Sequence, residues 1–357
     1  MAREEKKLQK HLQQKANEQL RKAAQTEKKQ RRSDQHKGTG GELRNFEEPE
    51  TFRAPKVKRT SLGSAAAEPE STTGIVVETG AGASLVVAGH ETVRCKCDTG
   101  VAVGDRVLFS VERRRITGVL PRSSCLSRPD PHNPLVERVV AANIDVVVNV
   151  VSVRTPPLRP GLIDRYLIAI ENSGAEPLIC VNKADLIAED AGEIASLLAP
   201  YRAIGIAVVL CSANTGQGLQ EMTDLLAGRM CVFAGHSGVG KSSLLNALVP
   251  GLEIATQAVS QIHETGRHTT TGSRLYKLPG GGMIIDTPGI REFGLWQVTP
   301  AQVREYFHEF DGHSAECAFS DCSHTHEPNC AVTPAVATGL ISAARYESYR
   351  RIMESVE

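Results

Sequence analysis

The sequence predicts an α/β protein with a mainly parallel sheet, preceded by a small β-barrel and followed by a short helical region rich in cysteine and histidine. Three observations support this prediction. Five short β-type runs fall between residues 73 and 122, strand and helix patterns alternate from Ala141 onward, and three cysteines and two histidines lie between residues 317 and 330. Alternating strand and helix patterns are typical of a parallel sheet with helices on both faces.

Length and composition bound the class of protein. The chain has 357 residues and nine cysteines, and its 41 basic residues equal its 41 acidic residues. This length suggests two or three domains of about 100 to 200 residues each. The sequence has no apolar segment of signal-peptide type and no run of 18 apolar residues, so we expect a cytoplasmic protein without a membrane segment. An odd number of cysteines then indicates reduced thiols or metal ligands.

The N-terminal part of the chain is strongly basic. Residues 1–37 carry twelve lysines and arginines against five acidic residues, with too few apolar residues to fold alone. Two interpretations are open, an arm that orders on nucleic acid and a solvated tail. Residues 38–71 are rich in Gly, Pro and Glu, as linkers are. We therefore assign residues 1–72 to a disordered extension and linker.

Turn residues separate the five β-type runs of residues 73–122. The runs are Gly74–Val77, Ser84–Val87, Thr92–Cys95, Arg106–Phe109 and Arg115–Val119. This pattern suits a small closed barrel of the OB type, which often binds oligonucleotides, although an SH3-like barrel would give a similar pattern. Six basic side chains form either an RNA-binding face or a solvated surface: Arg94, Lys96, Arg113, Arg114, Arg115 and Arg122. We interpret Cys95 and Cys97 as packing residues rather than a redox or metal pair.

In the alternating region, the strand Pro177–Val181 is followed by a polar segment. Its residues are Asn182, Lys183, Ala184 and Asp185. At the carboxyl edge of a parallel sheet, the carboxylate of Asp185 can accept both N–H donors of guanine, while Asn182 contacts the purine and the stem of Lys183 packs on the ring. Adenine presents an acceptor at that place, so the pattern predicts GTP rather than ATP. After the next strand, the N–H groups of Ser212 and Ala213 are candidates for binding the guanine carbonyl.

The segment 235–242 has the spacing of a phosphate-binding loop, G-x-x-x-x-G-K-S. The apolar run Met230–Ala234 precedes it and the helical run Ser243–Leu248 follows, as the motif requires. Backbone N–H groups and the helix N-terminus bind phosphate oxygens, the lysine reaches the outer phosphates, and the hydroxyl of Ser242 ligates magnesium. The alternative is a glycine-rich turn that binds nothing. The predicted contact residues are Gly235, His236, Ser237, Gly238, Val239, Gly240, Lys241, Ser242 and Ser243.

Two further segments complete the predicted nucleotide site. The strand Met283–Asp286 is followed by Thr-Pro-Gly289. Asp286 suits a water-mediated contact to magnesium, and the N–H of Gly289 suits the terminal phosphate. Thr269 or Thr270, in a polar stretch, is expected to close over magnesium as a switch loop does, and the sequence leaves open which of the two does so.

These motifs resemble those of the translational GTPase class, but in a rotated order that places the base-reading segments before the phosphate loop. With a five-strand barrel before them and a Cys/His cluster behind them, the chain from about Thr73 onward resembles the RsgA (YjeQ) family of ribosome small-subunit-dependent GTPases. The resemblance implies hydrolysis of GTP to GDP and phosphate, stimulated by the small ribosomal subunit late in its assembly, and release of the factor afterwards. It also implies rRNA as a partner, and nothing in the sequence indicates a dimer, so we expect a monomer.

One departure from ordinary GTPases concerns the attacking water. Ras-like proteins carry a glutamine after the glycine of this motif, whereas this chain has Ile290, which cannot orient water. His268, beside the switch threonines, is the candidate replacement, and the family resemblance suggests the same position. The alternative is a solvent-facing loop histidine.

The C-terminal segment contains four potential ligands within fourteen residues: Cys317, Cys322, His324 and Cys330. This set suits a closed, structural zinc site of the Cys₃His type. His313 and His326 are competing ligands, but the family pattern matches His324. The alternative is a loop with reduced cysteines. We expect this segment to have little core of its own, so that zinc supplies its folding free energy.

We predict helical structure over residues 334–353, where three arginines pack on the metal segment or contact RNA: Arg345, Arg350 and Arg351. The complete prediction is an α/β P-loop GTPase domain, circularly permuted, at residues 123–299. An N-terminal OB-type barrel occupies residues 73–122, and a C-terminal helical zinc-binding domain occupies residues 300–357. Two alternatives are a permuted GTPase of the large subunit and an RNA-binding adaptor that holds GTP without hydrolysing it.

Overall fold

The structure is a computed structural model that describes residues 71–80, 82–97, 100–130, 137–187, 191–249, 251–252, 273–286 and 298–356. All of these residues fall within one compact unit of the chain. The predicted basic arm lies outside the described residues, as do four predicted site residues: His268, Thr269, Thr270 and Gly289. Among the residues that the structure describes, no helix is long and apolar enough to span a bilayer.

The described chain contains strands and helices in the following order. The strands are β1 (Thr72–Gly80), β2 (Ala83–Ala88), β3 (Glu91–Lys96), β4 (Arg106–Ser110), β5 (Arg115–Val119), β6 (Cys125–Pro129), β7 (Glu137–Ala142), β8 (Val146–Ser152), β9 (Glu176–Asn182), β10 (Ala207–Leu210), β11 (Met230–Ala234), β12 (Arg274–Lys277) and β13 (Met283–Asp286). The helices are α1 (Pro160–Ser173), α2 (Ala191–Ala203), α3 (Leu219–Leu225), α4 (Lys241–Leu248), α5 (Pro300–Glu305), α6 (Asp311–Ser314), α7 (Val332–Ala337) and α8 (Ala343–Val356).

Strands β1 to β5 form the predicted barrel. They are ordered β1-β2-β3-β5-β4, and β4 pairs with β1 to close the barrel. Strands β3 and β5 are parallel, whereas the other barrel pairs are antiparallel. This Greek-key order agrees with an OB-type barrel. Cys95 is fully buried in the barrel core and Cys97 packs against that core, so the interpretation of these two cysteines as packing residues is confirmed.

The barrel shares a sheet with the α/β region. Strand β1 also pairs with β12, so eleven strands run continuously in the order β10-β9-β8-β11-β13-β12-β1-β2-β3-β5-β4. Glu78 of β1 lies opposite Arg274 of β12, and their side chains form an ion pair with a nitrogen–oxygen distance of 2.6 Å. The short strand β12 and the hairpin β6–β7 were not predicted from the sequence.

The α/β region has the predicted parallel core. Strands β10, β9, β8, β11 and β13 are parallel, and β8 is buried along its whole length, which is typical of a strand covered on both faces. Helices α3 and α4 pack on one face, and α1 and α2 pack on the other. Helix α1 begins at Pro160, whose fixed φ suits the first helical position, and ends at Gly174 in the left-handed conformation.

A buried ion pair joins the barrel to the segment that follows it. The carboxylate of Asp105 is fully buried and accepts hydrogen bonds from the Ala102 N–H at 2.8 Å and from Arg122 Nε at 2.7 Å and Nη2 at 2.8 Å. The guanidinium of Arg122 is therefore committed to this pair and does not extend the basic face of the barrel. Close by, Gly104 is required because a Cβ there would lie 2.1 Å from the carbonyl oxygen of Ala142.

Replacing Arg122 with alanine is expected to destabilise the protein by about 3 kcal/mol, because it leaves the buried carboxylate of Asp105 without its cation. Urea unfolding measures this change. Arg94→Ala is the control, since Arg94 is exposed on β3, and it should change the stability by less than about 0.5 kcal/mol. Equal unfolding midpoints for the two variants would contradict the prediction.

The C-terminal region differs from the prediction in two respects. The predicted helix over residues 334–353 is two helices, because Gly339 adopts a left-handed φ of 78° after α7 and the N–H groups of Leu340 and Ile341 donate back to the Ala335 carbonyl. The region also has a core of its own. The rings of Phe307 and Phe310 stack with centroids 5.4 Å apart, and Tyr349 packs edge-on against both.

Candidate functional site

The predicted phosphate loop has the predicted context. It connects the end of β11 to the first residue of α4, and α4 points its N-terminus at the loop. Two glycines are needed for the close approach of other segments. A Cβ on Gly235 would lie 2.2 Å from the carbonyl oxygen of Val150, and one on Gly240 would lie 2.3 Å from the side-chain nitrogen of Asn182. The loop is thus packed tightly between β8 and the base-reading segment.

The side chain of Lys241 lies across the loop. Its ammonium donates hydrogen bonds to the carbonyl oxygens of Gly235 at 2.6 Å and His236 at 2.8 Å. Ser242 and Ser243 follow in the first turn of α4, where N–H groups have no intrahelical acceptor. Cationic and N–H donors therefore converge on one place at the carboxyl edge of the sheet. This arrangement suits the binding of phosphate oxygens.

Asn182 makes two hydrogen bonds within the protein, and its predicted contact with the purine stays a prediction. The residue is 2% exposed. Its amide nitrogen donates to the Val239 carbonyl at 2.8 Å, and its amide oxygen accepts from the Ala213 N–H at 3.4 Å. Asn182 thereby connects the phosphate loop to both base-reading segments.

Lys183 adds a second connection between the same segments. It has a left-handed φ of 62°, and its ammonium donates to the carbonyl oxygen of Gly238 in the phosphate loop at 2.9 Å. The same ammonium donates to the carbonyl of Thr155 in the loop after β8. The lysine side chain therefore lies along the edge between the phosphate loop and the base-reading segment, and its packing on a guanine ring stays a prediction.

Asp185 is an exposed carboxylate held in a fixed orientation. Its Oδ1 accepts a hydrogen bond of 2.6 Å from the hydroxyl of Ser212 at the end of the neighbouring strand. The backbone N–H of Ser212, a predicted donor to the guanine carbonyl, already donates to the Gln217 carbonyl at 3.0 Å. The N–H of Ala213 makes only the long bond to Asn182, and it is the better of the two candidates.

Asp286 lies at the same edge of the sheet. It is the last residue of β13, which is the parallel neighbour of β11, with Val232 opposite Ile285. The carboxyl ends of adjacent parallel strands meet at one edge, so Asp286 lies beside the start of the phosphate loop. The structure therefore brings together the predicted phosphate-binding, base-reading and aspartate segments.

The four predicted metal ligands lie together. Their ligand atoms are all within 4.8 Å of one another, and the sulfurs of Cys317 and Cys330 are each 3.6 Å from Nδ1 of His324. Zinc bonds of about 2.0 to 2.3 Å in a tetrahedron need donors at about this separation, so the residues fit zinc. The competing His326 is exposed and lies outside this group.

The surroundings of His324 suit a metal ligand. Burial, reinforced by the positive charge of Arg304, lowers the pKa of His324, so its ring is neutral and Nδ1 can donate a lone pair. Nε2 lies 3.3 Å from the Ser314 hydroxyl, a partner of the kind that fixes the orientation of a ligating ring. Four donors fill a tetrahedral ion, which indicates a structural rather than a catalytic metal.

Sequence reasoning missed the side chains that hold the metal loop in place. Tyr346 and Tyr349 of α8 donate to the carbonyls of His324 at 2.7 Å and Ser323 at 2.5 Å. Arg304 donates to the carbonyl of Cys322 at 3.0 Å. No local motif marks these residues, because their partners are main-chain groups of a loop that is distant in sequence.

The fold and the site define a P-loop GTPase whose motifs follow a circularly permuted order, with a Cys₃His group in its C-terminal region. Residues 119–296 match the family model described as RsgA GTPase. Together with the relatives described next, this match shows that the chain belongs to the RsgA GTPase family and is a GTP hydrolase. The predicted family and fold class are thereby confirmed.

Several relatives support this assignment. The small ribosomal subunit biogenesis GTPase RsgA of Photorhabdus laumondii is 39% identical, covering 90% of this chain and 95% of the relative. The protein of the same description from Proteus mirabilis is 42% identical over 80% of this chain and 85% of its own. The crystal structure of YjeQ from Thermotoga maritima has 33% identity and a TM-score of 0.67, covering 80% of this chain and 98% of that one. YloQ, described as a circularly permuted GTPase, has 25% identity and a TM-score of 0.64, covering 80% and 95%.

Proposed function

We propose that this protein is a GTPase of small ribosomal subunit biogenesis, which hydrolyses GTP to GDP and phosphate when the small subunit stimulates it and leaves the subunit afterwards. We further propose that it acts in the cytoplasm as a monomer. The observation that carries the proposal is the joining of the phosphate loop to the guanine-reading segment through Asn182 and Lys183, in a chain whose relatives are named for this role.

The described residues suggest how GTP is held. The N–H groups of the phosphate loop and the ammonium of Lys241 bind the phosphates, and Asp185, oriented by Ser212, accepts the two N–H donors of guanine. Ser242, and Asp286 through water, would hold magnesium, which neutralises charge on the phosphates. Asn182 and Lys183 fix the distance between the base and phosphate subsites. A base-specific contact thereby aligns the phosphates.

Hydrolysis without a partner should be slow. Ile290 stands where the water-orienting glutamine of Ras-like proteins would be, so a partner is needed to complete the site. We propose that His268 positions the attacking water and that Thr269 or Thr270 closes over magnesium, with the Gly289 N–H at the terminal phosphate. These four residues lie outside the described part of the chain, so their sequence context and the family resemblance support the proposal.

His268→Ala is expected to lower single-turnover GTP hydrolysis with small subunits by about 100-fold, because positioned proton acceptors contribute about that much or more. GDP affinity should stay within about twofold, since the histidine is not proposed to hold the nucleotide. The control is His90→Ala, because His90 is exposed in the turn between β2 and β3 of the barrel. Wild-type turnover in His268→Ala would show that the histidine has no part in hydrolysis.

We propose that the barrel contacts rRNA through one basic face. Lys96 of β3 lies opposite Arg115 of β5, and the Lys96 N–H donates to the Arg114 carbonyl at 2.8 Å, so these three residues are adjacent. Arg94 and Arg113 are exposed nearby along the chain. A cluster of exposed cations with few aromatic residues suits contacts to phosphates rather than stacking on bases.

We propose a structural zinc ion bound by the Cys₃His group, and three domains at residues 73–122, 123–299 and 300–357. The domain boundaries are supported by the end of the last barrel strand at Val119 and by the start of α5 at Pro300. The basic extension and linker would end just before Thr72, where β1 begins, one residue earlier than the predicted bound of residue 72.

The experiment that tests the function is GTP hydrolysis by the purified protein at moderate salt, alone and with isolated small or large ribosomal subunits. We expect strong stimulation by the small subunit only. Stimulation by the large subunit instead would support a large-subunit factor. Nucleotide binding without single-turnover hydrolysis in any mixture would support an RNA-binding adaptor.

A further inference from the structure

We propose that a buried ion network formed by Asp164, Arg345 and Glu309 couples the metal cluster to the guanine nucleotide site, so that metal and nucleotide bind cooperatively. Asp164 lies on α1 in the α/β region, whereas Arg345 lies on α8 in the C-terminal region. The inference rests on the proposed nucleotide and metal sites. It adds a route of communication that involves neither the switch threonines nor the barrel.

The network is desolvated and geometrically specific. Arg345 Nη1 lies 2.5 Å from Asp164 Oδ1, while Nε and Nη2 donate to the two carboxylate oxygens of Glu309 at 2.7 and 3.0 Å. The side chains of Arg345 and Asp164 are 4% and 0% exposed. The guanidinium also lies over the rings of Phe307 and Tyr201, 4.4 and 5.4 Å from their centroids. The bidentate pair with Glu309 fixes the orientation of the guanidinium within the C-terminal region, and the buried bond from Nη1 to Asp164 then ties α8 to α1.

Arg345 stays protonated in this buried environment. Burial alone would lower the pKa of Arg345, but its hydrogen bonds to Glu309 and the charge of Asp164 raise it above its ordinary value. Burial raises the pKa of Asp164, and the positive charge of Arg345 opposes that rise. Moving α8 away from α1 would leave the buried carboxyl of Asp164 without its cation, while Arg345 would keep Glu309. A buried carboxyl that loses its cation is unfavourable, so the network favours the arrangement in which α8 packs on α1.

On one side, the network is tied to the metal loop. The residue after Arg345 is Tyr346, whose hydroxyl donates to the carbonyl of the metal ligand His324. Tyr349, one turn further along α8, donates to the carbonyl of Ser323 and packs against Phe307. A metal loop that loses its ion would release these bonds and allow α8 to shift.

On the other side, the network is tied to the nucleotide site. Tyr201, whose ring lies beneath Arg345, donates to the carbonyl of Pro160 at the start of α1. The loop just before α1 carries Thr155, which accepts from the ammonium of Lys183 in the base-reading segment. The N–H of Val153, in the same loop, donates to the carbonyl of Asn182 at 3.3 Å. A shift at the start of α1 therefore reaches both residues that join the base-reading segment to the phosphate loop.

A chain of contacts does not measure coupling, so the test is thermodynamic. Zinc affinity of the full-length protein is measured by competition with a chromophoric chelator, with and without saturating GDP. Fluorescent GDP affinity is measured with and without zinc. We expect each ligand to raise the affinity of the other by about fivefold or more, and by the same factor in both experiments, because linkage is reciprocal.

Variants separate coupling from simple stabilisation. Arg345→Met should reduce the coupling factor to near one, whereas Arg350→Met should retain it, since Arg350 is exposed on the same helix. A residue that only stabilises the fold would weaken both affinities and leave the factor unchanged. If Arg345→Met does not fold, Asp164→Asn combined with Arg345→Met removes both charges between the helices and should also give a factor near one.

The outcomes distinguish this inference from the proposed function. A wild-type factor of one, or an Arg345→Met variant that keeps the full factor, would overturn the coupling while leaving GTP binding and the metal site intact. A wild-type protein that binds zinc but no guanine nucleotide would overturn the coupling and the proposed function together.

Discussion

Asp185→Asn is expected to lower GTP affinity by about 100-fold or more and to make the protein prefer XTP to GTP. In the proposed site the carboxylate of Asp185 accepts two N–H donors of guanine, and hydrogen bonds to a charged group contribute about 1.5 to 3 kcal/mol each. An asparagine offers one acceptor and one donor. Xanthine has a carbonyl where guanine has its exocyclic amine, so it complements the amide, whereas guanine meets donor against donor.

The surroundings of Asp185 indicate that its replacement changes the preferred base without disrupting the rest of the nucleotide site. Asp185 is exposed, and the Ser212 hydroxyl that donates to its Oδ1 can donate equally to an amide oxygen. The phosphate loop is held by Asn182 and Lys183, which the substitution does not touch. We therefore expect phosphate binding to survive and only the choice of base to change.

The measurement is displacement of fluorescent GDP by unlabelled GTP, XTP and ATP. Asp224→Asn is the matched control, because Asp224 is an exposed carboxylate on α3 that accepts from its neighbour Gln220. It should bind all three nucleotides as the wild type does. If Asp185→Asn bound GTP as tightly as the control, the assignment of Asp185 as the base-reading residue would be wrong.

The sequence predicts the parts of this site that local spacing determines. The phosphate loop, the base-reading segment and the four metal ligands are each short runs in which residue type and spacing decide the geometry. The strands β8, β9 and β11 are long apolar runs, which the parallel sheet buries on both faces. The order of the base-reading segments, the phosphate loop, the switch threonines and the Asp-Thr-Pro-Gly segment along the chain was enough to predict the permuted arrangement.

Pairs that are distant in the sequence could not be predicted in this way. In the sequence, Arg345 is one of several arginines in a polar helical segment. The folded chain brings it to Asp164, which is 181 residues away. The motif around Asn182 predicts a contact with the purine. It does not show that the side-chain amide also hydrogen-bonds to the backbone of Val239 and Ala213. In both cases packing, rather than local propensity, decides which partner a polar group finds.

The same limit explains the error about the C-terminal region. Its aromatic residues are spread over more than forty positions, so no local pattern in the sequence indicates a compact core. In the structure, Phe307, Phe310 and Tyr349 pack together with both Cys322 and Ile168, which comes from α1. The region is therefore supported by its own apolar contacts and by the neighbouring helix, and zinc is not its sole source of folding free energy.

Because the C-terminal region has this aromatic core, loss of the metal is expected to loosen the region without unfolding the whole chain. Cys322→Ser is expected to reduce zinc content from one ion per chain to near zero, and to make the amides of α8 exchange their hydrogens about 100-fold faster or more. In small domains without such a core, zinc contributes about 10 kcal/mol or more and its removal unfolds the whole chain. Here Phe307 and Tyr349 should keep the region compact, while the bonds of Tyr346 and Tyr349 to the metal loop are lost.

Hydrogen exchange and metal analysis measure these two effects. Cys97→Ser is the matched control, because Cys97 is a half-buried cysteine of the barrel outside the Cys₃His group. It should keep one ion per chain and wild-type exchange in α8. Chelation of the wild type should reproduce the Cys322→Ser pattern, and added zinc should reverse it in the wild type only. If α8 kept its protection without metal, the aromatic core alone would hold the region, and the predicted contribution of zinc to its folding would be wrong.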